Sequence, residues 1–203
     1  MREKLRRPVA VAVLILLFSC IVALFWYSDW QYNLPTPVPA LYHPVNPGTR
    51  IDISATFKPK KAGPVFLHFF NPDCPCSRFN ITHFKTLAER YADKINFAVV
   101  VISSKNDYTA AGIQQRFGLT VPVLFDTSVA ALCGVYSTPQ AVLLNTDQLL
   151  YYRGNYNRSR YCTDEKSNYA QMAIDSLLAS KREPAFDHYA LTAYGCKLPG
   201  CKK

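Results

Sequence analysis

Glycine is scarce in this chain, with eight among 203 residues, and the few present form no phosphate-binding loop. The sequence also lacks the paired histidines of a zincin helix and the serine of a nucleophile elbow. These absences argue against a P-loop protein, a zincin protease and an α/β-hydrolase. Because 49% of the residues are apolar and 18% charged, the chain is neither collagen-like nor a low-complexity disordered protein.

Acidic side chains are also few, with 14 against 23 basic ones, so the formal net charge is +9. Residues 1–7 contribute +3 of that excess, through four basic residues and one glutamate. The remainder of the chain has no run of Arg or Lys longer than two and no interleaved basic and aromatic patch. We therefore expect no nucleic-acid partner.

One long run of the sequence contains no charge. Residues 8–27 are apolar at 18 of 20 positions, and Trp26, Tyr27 and Trp30 stand at the far end. At a helical rise of about 1.5 Å per residue, such a run crosses a hydrocarbon core of about 30 Å. The pattern predicts a basic cytoplasmic leader (1–7) and a transmembrane signal-anchor (8–27), with the rest of the chain on the other side. A cleaved signal peptide and a lipoprotein processed at Cys20 are the alternatives.

Two further regions follow the predicted span. Residues 28–50 contain five prolines and predict an extended linker. Residues 51–203 predict one domain with a cysteine-containing tail. Hydrophobic periodicity there predicts an α/β fold with a mixed sheet flanked by helices. The strands are expected over 64–70, 94–103, 121–125, 141–145 and 149–153, and the helices over 75–91, 108–117, 127–133 and 164–180, the last capped by Thr163.

Reactive chemistry concentrates around Cys74 and Cys76. A predicted buried strand ends at Phe70, and a helix is expected to begin at Pro75. Cys74 then lies at a helix N-terminus, where unpaired N–H groups and the helix dipole stabilise a thiolate and make it a nucleophile. A pair of inert buried cysteines and a metal-binding pair are the alternatives.

Two segments resemble the thioredoxin-like superfamily, especially the membrane-anchored redoxins related to alkyl hydroperoxide reductase and thiol-specific antioxidant proteins. They are FFNPDCPCSR (69–78) and STPQAVLL (137–144). The resemblance implies a thioredoxin-like fold, with Cys74 as the attacking thiol and Pro139 as a cis-proline. It further implies that Thr138 offers backbone groups to a bound peptide. Ser77 stands where the family has its second cysteine, and the extra thiol, Cys76, comes one position earlier.

The remaining cysteines carry separate expectations. Cys133 is expected in the core, and Cys162 is either a resolving or a structural thiol. Cys196 and Cys201 predict a disulfide with each other, a mobile redox arm that meets Cys74, or a metal site with His188. His68, inside an apolar strand, is expected to be a core histidine.

These observations favour a membrane-anchored thiol–disulfide oxidoreductase that uses Cys74 and Cys76, acts on protein thiols or disulfides and needs no cofactor or resident metal. We expect a single-pass protein of the cell inner membrane with its domain on the periplasmic side. A peroxiredoxin-like peroxidase, a copper-binding metallochaperone and a non-enzymatic interaction module of the same fold are the alternatives.

Overall fold

The computed structural model describes residues 2–105, 107–181 and 184–199. The chain divides into two compact units, Met1–Leu34 and Pro35–Lys203. The first unit consists of helix α1 (Arg2–Asn33). Among the described residues, one stretch, Arg6–Ser28 in α1, is long and apolar enough to cross a membrane, and none of it is buried. A signal sequence would have the same length and composition.

The second unit is built on a five-stranded mixed sheet with a separate two-stranded pair beside it. In the sheet the strand order is β3-β2-β1-β5-β6, with β1, β2 and β3 parallel and β5 and β6 antiparallel to their neighbours. The smaller sheet pairs β4 with β7. The strands are β1 (Val65–Phe70), β2 (Asn96–Val101), β3 (Val123–Leu124), β4 (Ser137–Thr138), β5 (Gln140–Leu144), β6 (Leu150–Gly154) and β7 (Cys196–Lys197).

Helices cover both faces of the sheet, as the expected α/β architecture requires. The side chains of β1 alternate between two buried clusters, so Phe66 packs with α2 and α5 while Leu67 packs with α4 and residues 51–57. All residues of β1, β2 and β5 are buried, which explains why their sequences are continuous apolar runs instead of alternating ones. The helices are α2 (Pro75–Arg90), α3 (Ala110–Phe117), α4 (Ser128–Leu132), α5 (Tyr169–Leu178) and α6 (His188–Leu191).

The helix predicted over 164–180 with a Thr163 cap is wrong at its beginning. Residues Glu165–Ser167 form a 3₁₀ turn capped by Asp164, and α5 begins only at Tyr169. The hydroxyl of Thr163 contacts Ser159 instead of capping. The Asp164 carboxylate accepts a hydrogen bond from the Ser167 hydroxyl at 2.8 Å. Such local side-chain bonds offer the backbone an alternative to the helix.

The second unit begins at Pro35, inside the predicted proline-rich linker, and residues of that region make contacts within it. Helix α1 extends to Asn33, and Thr36 is buried with 2% of its surface exposed. Arg50 forms an isolated bridge with Leu149, and Ile51 and Ile53 enter the core. Thr36 and Arg50, both within the predicted linker, are therefore part of the folded second unit.

His68 is a core histidine, as expected. It is fully buried on β1, its ring stacks on Phe84 at 4.7 Å, and its Nδ1 lies 2.7 Å from the hydroxyl of Tyr156. Burial lowers the pKa of His68 to about 3. The imidazole therefore stays neutral in the folded domain near neutral pH.

This burial predicts acid sensitivity between the unfolded and folded pKa values of His68. Below about pH 6.5, His68 of the unfolded chain binds a proton while His68 of the folded chain does not. The contribution of neutral His68 to the free energy of unfolding is therefore intact above that pH and falls as the pH drops toward 3. Acidification to about pH 4 should cost on the order of 3 kcal/mol. His68→Gln should flatten this slope in urea-unfolding curves of the full chain in detergent micelles.

The matched control is His43→Gln, because His43 is exposed. It should leave the pH slope of the unfolding free energy unchanged. Equal slopes for the wild type and His68→Gln would contradict the assignment.

Candidate functional site

Cys74 lies at the head of α2, directly after the turn that leaves the buried strand β1. Its φ and ψ of −85° and 122° are those of an N-cap residue, and Pro75 is the first residue of the helix. The peptide N–H of Ser77 donates to the Cys74 carbonyl at 3.1 Å. No side-chain hydrogen bond caps the helix. As the N-cap residue, Cys74 places its sulfur at the helix N-terminus, where the helix dipole favours negative charge.

The turn before Cys74 is held by side chains on both sides. The Asn71 peptide N–H donates to the Ser77 hydroxyl at 3.1 Å, and the Asp73 peptide N–H donates to the Asn71 side-chain oxygen at 2.9 Å. Ser77 is fully buried. The residue that replaces the family's second cysteine therefore has a structural role, because it ties the end of β1 to the first turn of α2.

The carboxylate of Asp73 is engaged away from the helix. Tyr108 donates its hydroxyl proton to Asp73 at 2.5 Å, and the ammonium of Lys105 lies 3.4 Å from the same oxygen. The Tyr108 hydrogen bond is the largest effect and lowers the pKa of Asp73; burial opposes it, and the charge of Lys105 lowers the pKa further by a smaller effect. Lys105 thus partly compensates the negative charge that sequence-adjacent Asp73 would present to a Cys74 thiolate.

The second predicted element of the site, Thr138 and Pro139, joins β4 to β5. The Thr138–Pro139 peptide bond is cis, which is the conformation that the resemblance implies. Ser137 and Thr138 are fully buried. The hydroxyl oxygen of Thr138 has no hydrogen-bond partner among the described residues.

The structure joins Cys74 to Cys196 in a disulfide. Cys196 reaches the site because β7 pairs antiparallel with β4, in a register that sets Thr138 opposite Cys196 and Ser137 opposite Lys197. Asn71 adds a hydrogen bond from its side-chain amide to the Pro199 carbonyl at 3.2 Å. The tail therefore returns to the end of β1, and Cys74, Cys196 and the residues before Pro139 form one site.

This pairing differs from the expected disulfide between Cys196 and Cys201. The β4–β7 pairing carries Cys196 to Cys74 instead, as in the redox-arm alternative. Cys201 and the side chain of Cys76 lie outside the described residues. The predicted pairing of Cys74 with Cys76 stays a prediction for the form of the protein in which Cys196 is released.

The other two described thiols of the domain lie apart from this disulfide. Cys133 is a free thiol in the core, as expected, and burial raises its pKa to about 12. Cys162 donates its thiol to the Asn80 side-chain oxygen at 3.2 Å, and burial also raises its pKa to about 12. Neither thiol is an effective nucleophile near neutral pH in this environment.

Strand β7 is the part of the site that sequence patterns miss. A two-residue strand has no periodicity, and the turn-rich residues around it suggest a loop. The residue in the sequence that marks this strand is Gly195. A Cβ at this position would lie 2.6 Å from the carbonyl carbon of Thr138 and 2.7 Å from the Ser137 hydroxyl, so the position requires glycine. A glycine directly before a cysteine can thus indicate close approach of two backbones.

Among the described residues, no group of three or more His, Cys, Asp and Glu side chains could hold a metal ion. His188, considered above as a ligand with Cys196, instead packs its ring on Tyr189.

Comparison with solved structures supports the fold. A hypothetical protein from Sinorhizobium meliloti 1021 has a TM-score of 0.63 at 18% identity, covering 78% of this chain and 96% of that chain. An uncharacterized conserved protein from Geobacillus kaustophilus has a TM-score of 0.61 at 17% identity, covering 78% and 94%. StoA from Bacillus subtilis has a TM-score of 0.38 at 20% identity, covering 47% of this chain and 75% of that chain.

The sheet order and the positions of Cys74 and Pro139 within it make the fold thioredoxin-like. The narrower relation to alkyl hydroperoxide reductase is not confirmed by these comparisons and stays a prediction. No curated protein matches the chain. Residues 49–198 match the family described as "Domain of unknown function (DUF6436)", and the chain belongs to that family.

Proposed function

We propose that this protein is a thiol–disulfide oxidoreductase in which Cys74 is the attacking thiol and Cys196 is its resolving partner. The observation that supports this most directly is the Cys74–Cys196 disulfide at the head of α2, beside the residues that precede Pro139. A helix N-terminus favours the thiolate form of Cys74, and the thiolate is the form that attacks disulfides.

The reaction begins from the dithiol form. The Cys74 thiolate attacks one sulfur of a substrate disulfide, and the other substrate sulfur leaves as a thiolate. The Cys196 thiolate then attacks the Cys74 sulfur, which forms the Cys74–Cys196 disulfide and releases the second substrate thiol. Two electrons pass from the cysteine pair to the substrate, and a small-molecule dithiol, able to reach a buried disulfide that a protein thiol cannot, must reduce the pair before the next cycle.

Burial of the disulfide supports this direction. Cys74 is fully buried and Cys196 is only 3% exposed in the oxidised form. A thiolate must approach a disulfide along the axis of the sulfur–sulfur bond, and the surrounding chain blocks a protein thiol from that approach. The oxidised form is therefore a poor oxidant of folded proteins, and the dithiol form is the one that meets substrate.

Substrate binding is assigned to the main chain of Ser137 and Thr138 next to Pro139. Thr138 lies opposite Cys196 in the β4–β7 register. A substrate strand in that place would bring its own sulfur to Cys74 in the same way. Recognition through peptide groups places no demand on the substrate's side chains.

Loss of the attacking thiol should abolish the reaction. Cys74→Ser should reduce the rate of disulfide cleavage in a fluorescence-quenched cystine peptide to the background of dithiothreitol alone. Cys133→Ser is the matched control and should keep the wild-type rate, because Cys133 lies in the core away from the site. A wild-type rate in Cys74→Ser would reject the proposal. Peroxide consumption by the same variants tests the peroxidase alternative.

Loss of the resolving thiol should trap the intermediate. Cys196→Ser should accumulate a mixed disulfide between Cys74 and the substrate peptide, seen by intact-mass spectrometry after a single turnover without dithiothreitol. Cys76→Ser is the matched comparison and should not accumulate it. Accumulation in Cys76→Ser and not in Cys196→Ser would assign the resolving role to Cys76.

Helix α1 is proposed to anchor the domain on the periplasmic side of the inner membrane. The basic leader favours a cytoplasmic N-terminus, and an oxidising compartment is where a protein disulfide persists. The purified membrane protein should then keep the mass of all 203 residues and resist carbonate extraction. A mass that lacks N-terminal residues (1–19 for lipoprotein processing before Cys20, or a longer stretch for a cleaved signal peptide), or release by carbonate, would contradict the anchor. Cys20→Ser, the control for lipoprotein processing, should change neither result.

A further inference from the structure

The edge assigned to the substrate strand is already occupied by the protein itself. Strand β7 pairs with β4 through Thr138 and Ser137, and the Leu198 peptide N–H donates to the Tyr136 carbonyl at 3.3 Å. Both residues of β4 have no exposed surface. We call residues Ala193–Pro199 the strap. A substrate strand and the strap cannot pair with the same edge at the same time.

The strap can pair with β4 this closely because Gly195 has no side chain. A Cβ at Gly195 would collide with the backbone of Thr138, 2.6 Å from its carbonyl carbon. Backbone atoms of a buried strand cannot move aside as the end of a flexible side chain can. Gly195 is therefore the residue that permits the strap to dock, although it takes no part in the chemistry.

A second contact holds the strap from the proline-rich region. The Thr36 peptide N–H donates to the Ala193 carbonyl at 2.7 Å, and the Thr36 hydroxyl donates to the Gly195 carbonyl at 2.7 Å. The same hydroxyl lies 3.2 Å from the Ser137 hydroxyl. Thr36 is buried, so water does not compete for these bonds and they tie the strap to β4.

The docked strap does not satisfy the whole edge. The hydroxyl oxygen of Thr138 is buried with no hydrogen-bond partner among the described residues. Pairing between β4 and β7 covers only two residue pairs. Beside this short pairing, the strap is held by the Thr36 bonds, the hydrogen bond from the Leu198 peptide N–H to Tyr136 and the bond from Asn71 to Pro199. A short segment held by so few hydrogen bonds is a candidate for local opening once the covalent link is removed.

We propose that the strap is a tethered competitor of the substrate. The Cys74–Cys196 disulfide locks it in the substrate-strand position. Once that bond is reduced the strap opens transiently and admits substrate, and it returns with Cys196 to displace the product. This inference rests on the proposed function. It adds that resolution and product release are one event, because the strand that brings the resolving sulfur also takes the product's place. The substrate is an extended segment that carries a cystine sulfur opposite Thr138.

The first test is hydrogen–deuterium exchange of the full chain in detergent micelles, oxidised and reduced. Reduction should raise exchange in the peptides that cover 136–138 and 194–199 and leave β1 and β2 unchanged. This measurement needs no substrate, so it reports on the strap even if the proposed activity fails. Unchanged exchange in both peptides would overturn the proposal.

The second test separates binding from turnover. Gly195→Ala should lower KM for the cystine peptide about tenfold, if the docked strap is about ten times more populated than the open strap in the reduced wild type. It should also lower kcat and accumulate mixed disulfide, because Cys196 returns slowly. Thr36→Val, which loses the hydroxyl without adding a clash, should shift KM in the same direction.

Lys58→Ala is the control, since Lys58 is exposed and lies outside both the strap and the site. It should keep the wild-type KM and kcat. Wild-type values in both Gly195→Ala and Thr36→Val would overturn the strap proposal while Cys74-dependent activity stands. Wild-type activity in Cys74→Ser would instead remove the proposed function.

Discussion

The register between β1 and β5 is the constraint on which the site depends. These strands are antiparallel neighbours, with Phe69 opposite Gln140. The end of β1 therefore lies beside the beginning of β5, and the turn that leads to Cys74 lies beside the residues that surround Pro139. Burial of every residue in both strands fixes the register, because a slip by one residue would turn each side chain to the other face. The core thus holds the Cys74 sulfur next to the residues before Pro139, where we propose that substrate binds.

Sequence reasoning reaches the part of the site that this core determines. The strands β1, β2 and β5 are long apolar runs, and the proline at the first turn of α2 marks where Cys74 caps the helix. The cis peptide at Pro139 was implied by a resemblance, not by any pattern of hydrophobicity. The strands and the start of α2 are local features, or follow from the order of local features, so a single sequence contains enough information to place them.

The rest of the site depends on contacts that have no local signal. Thr36 bonds to Gly195 across 159 positions of sequence, and β7 has too few residues to show a period. The false start of the helix at Asp164 has a similar origin, because a capping side chain and the Ser167 hydroxyl favour a 3₁₀ turn there. Expected pairing of Cys196 with nearby Cys201 failed because sequence proximity is a poor guide when a strand returns to the core.

Replacement of a helix cysteine by Ser77 changes what resolution involves. A cysteine at position 77 would resolve the intermediate from within α2, without displacing anything from β4. Here Ser77 holds the turn through the Asn71 peptide group, and the described partner of Cys74 is carried by a short strand. In the proposed mechanism the resolving sulfur arrives only when its strand docks, and that strand cannot dock while a substrate strand is paired with β4. Resolution and product release are coupled in that mechanism by steric exclusion, and Gly195 and Thr36 are proposed to set the strength of the coupling.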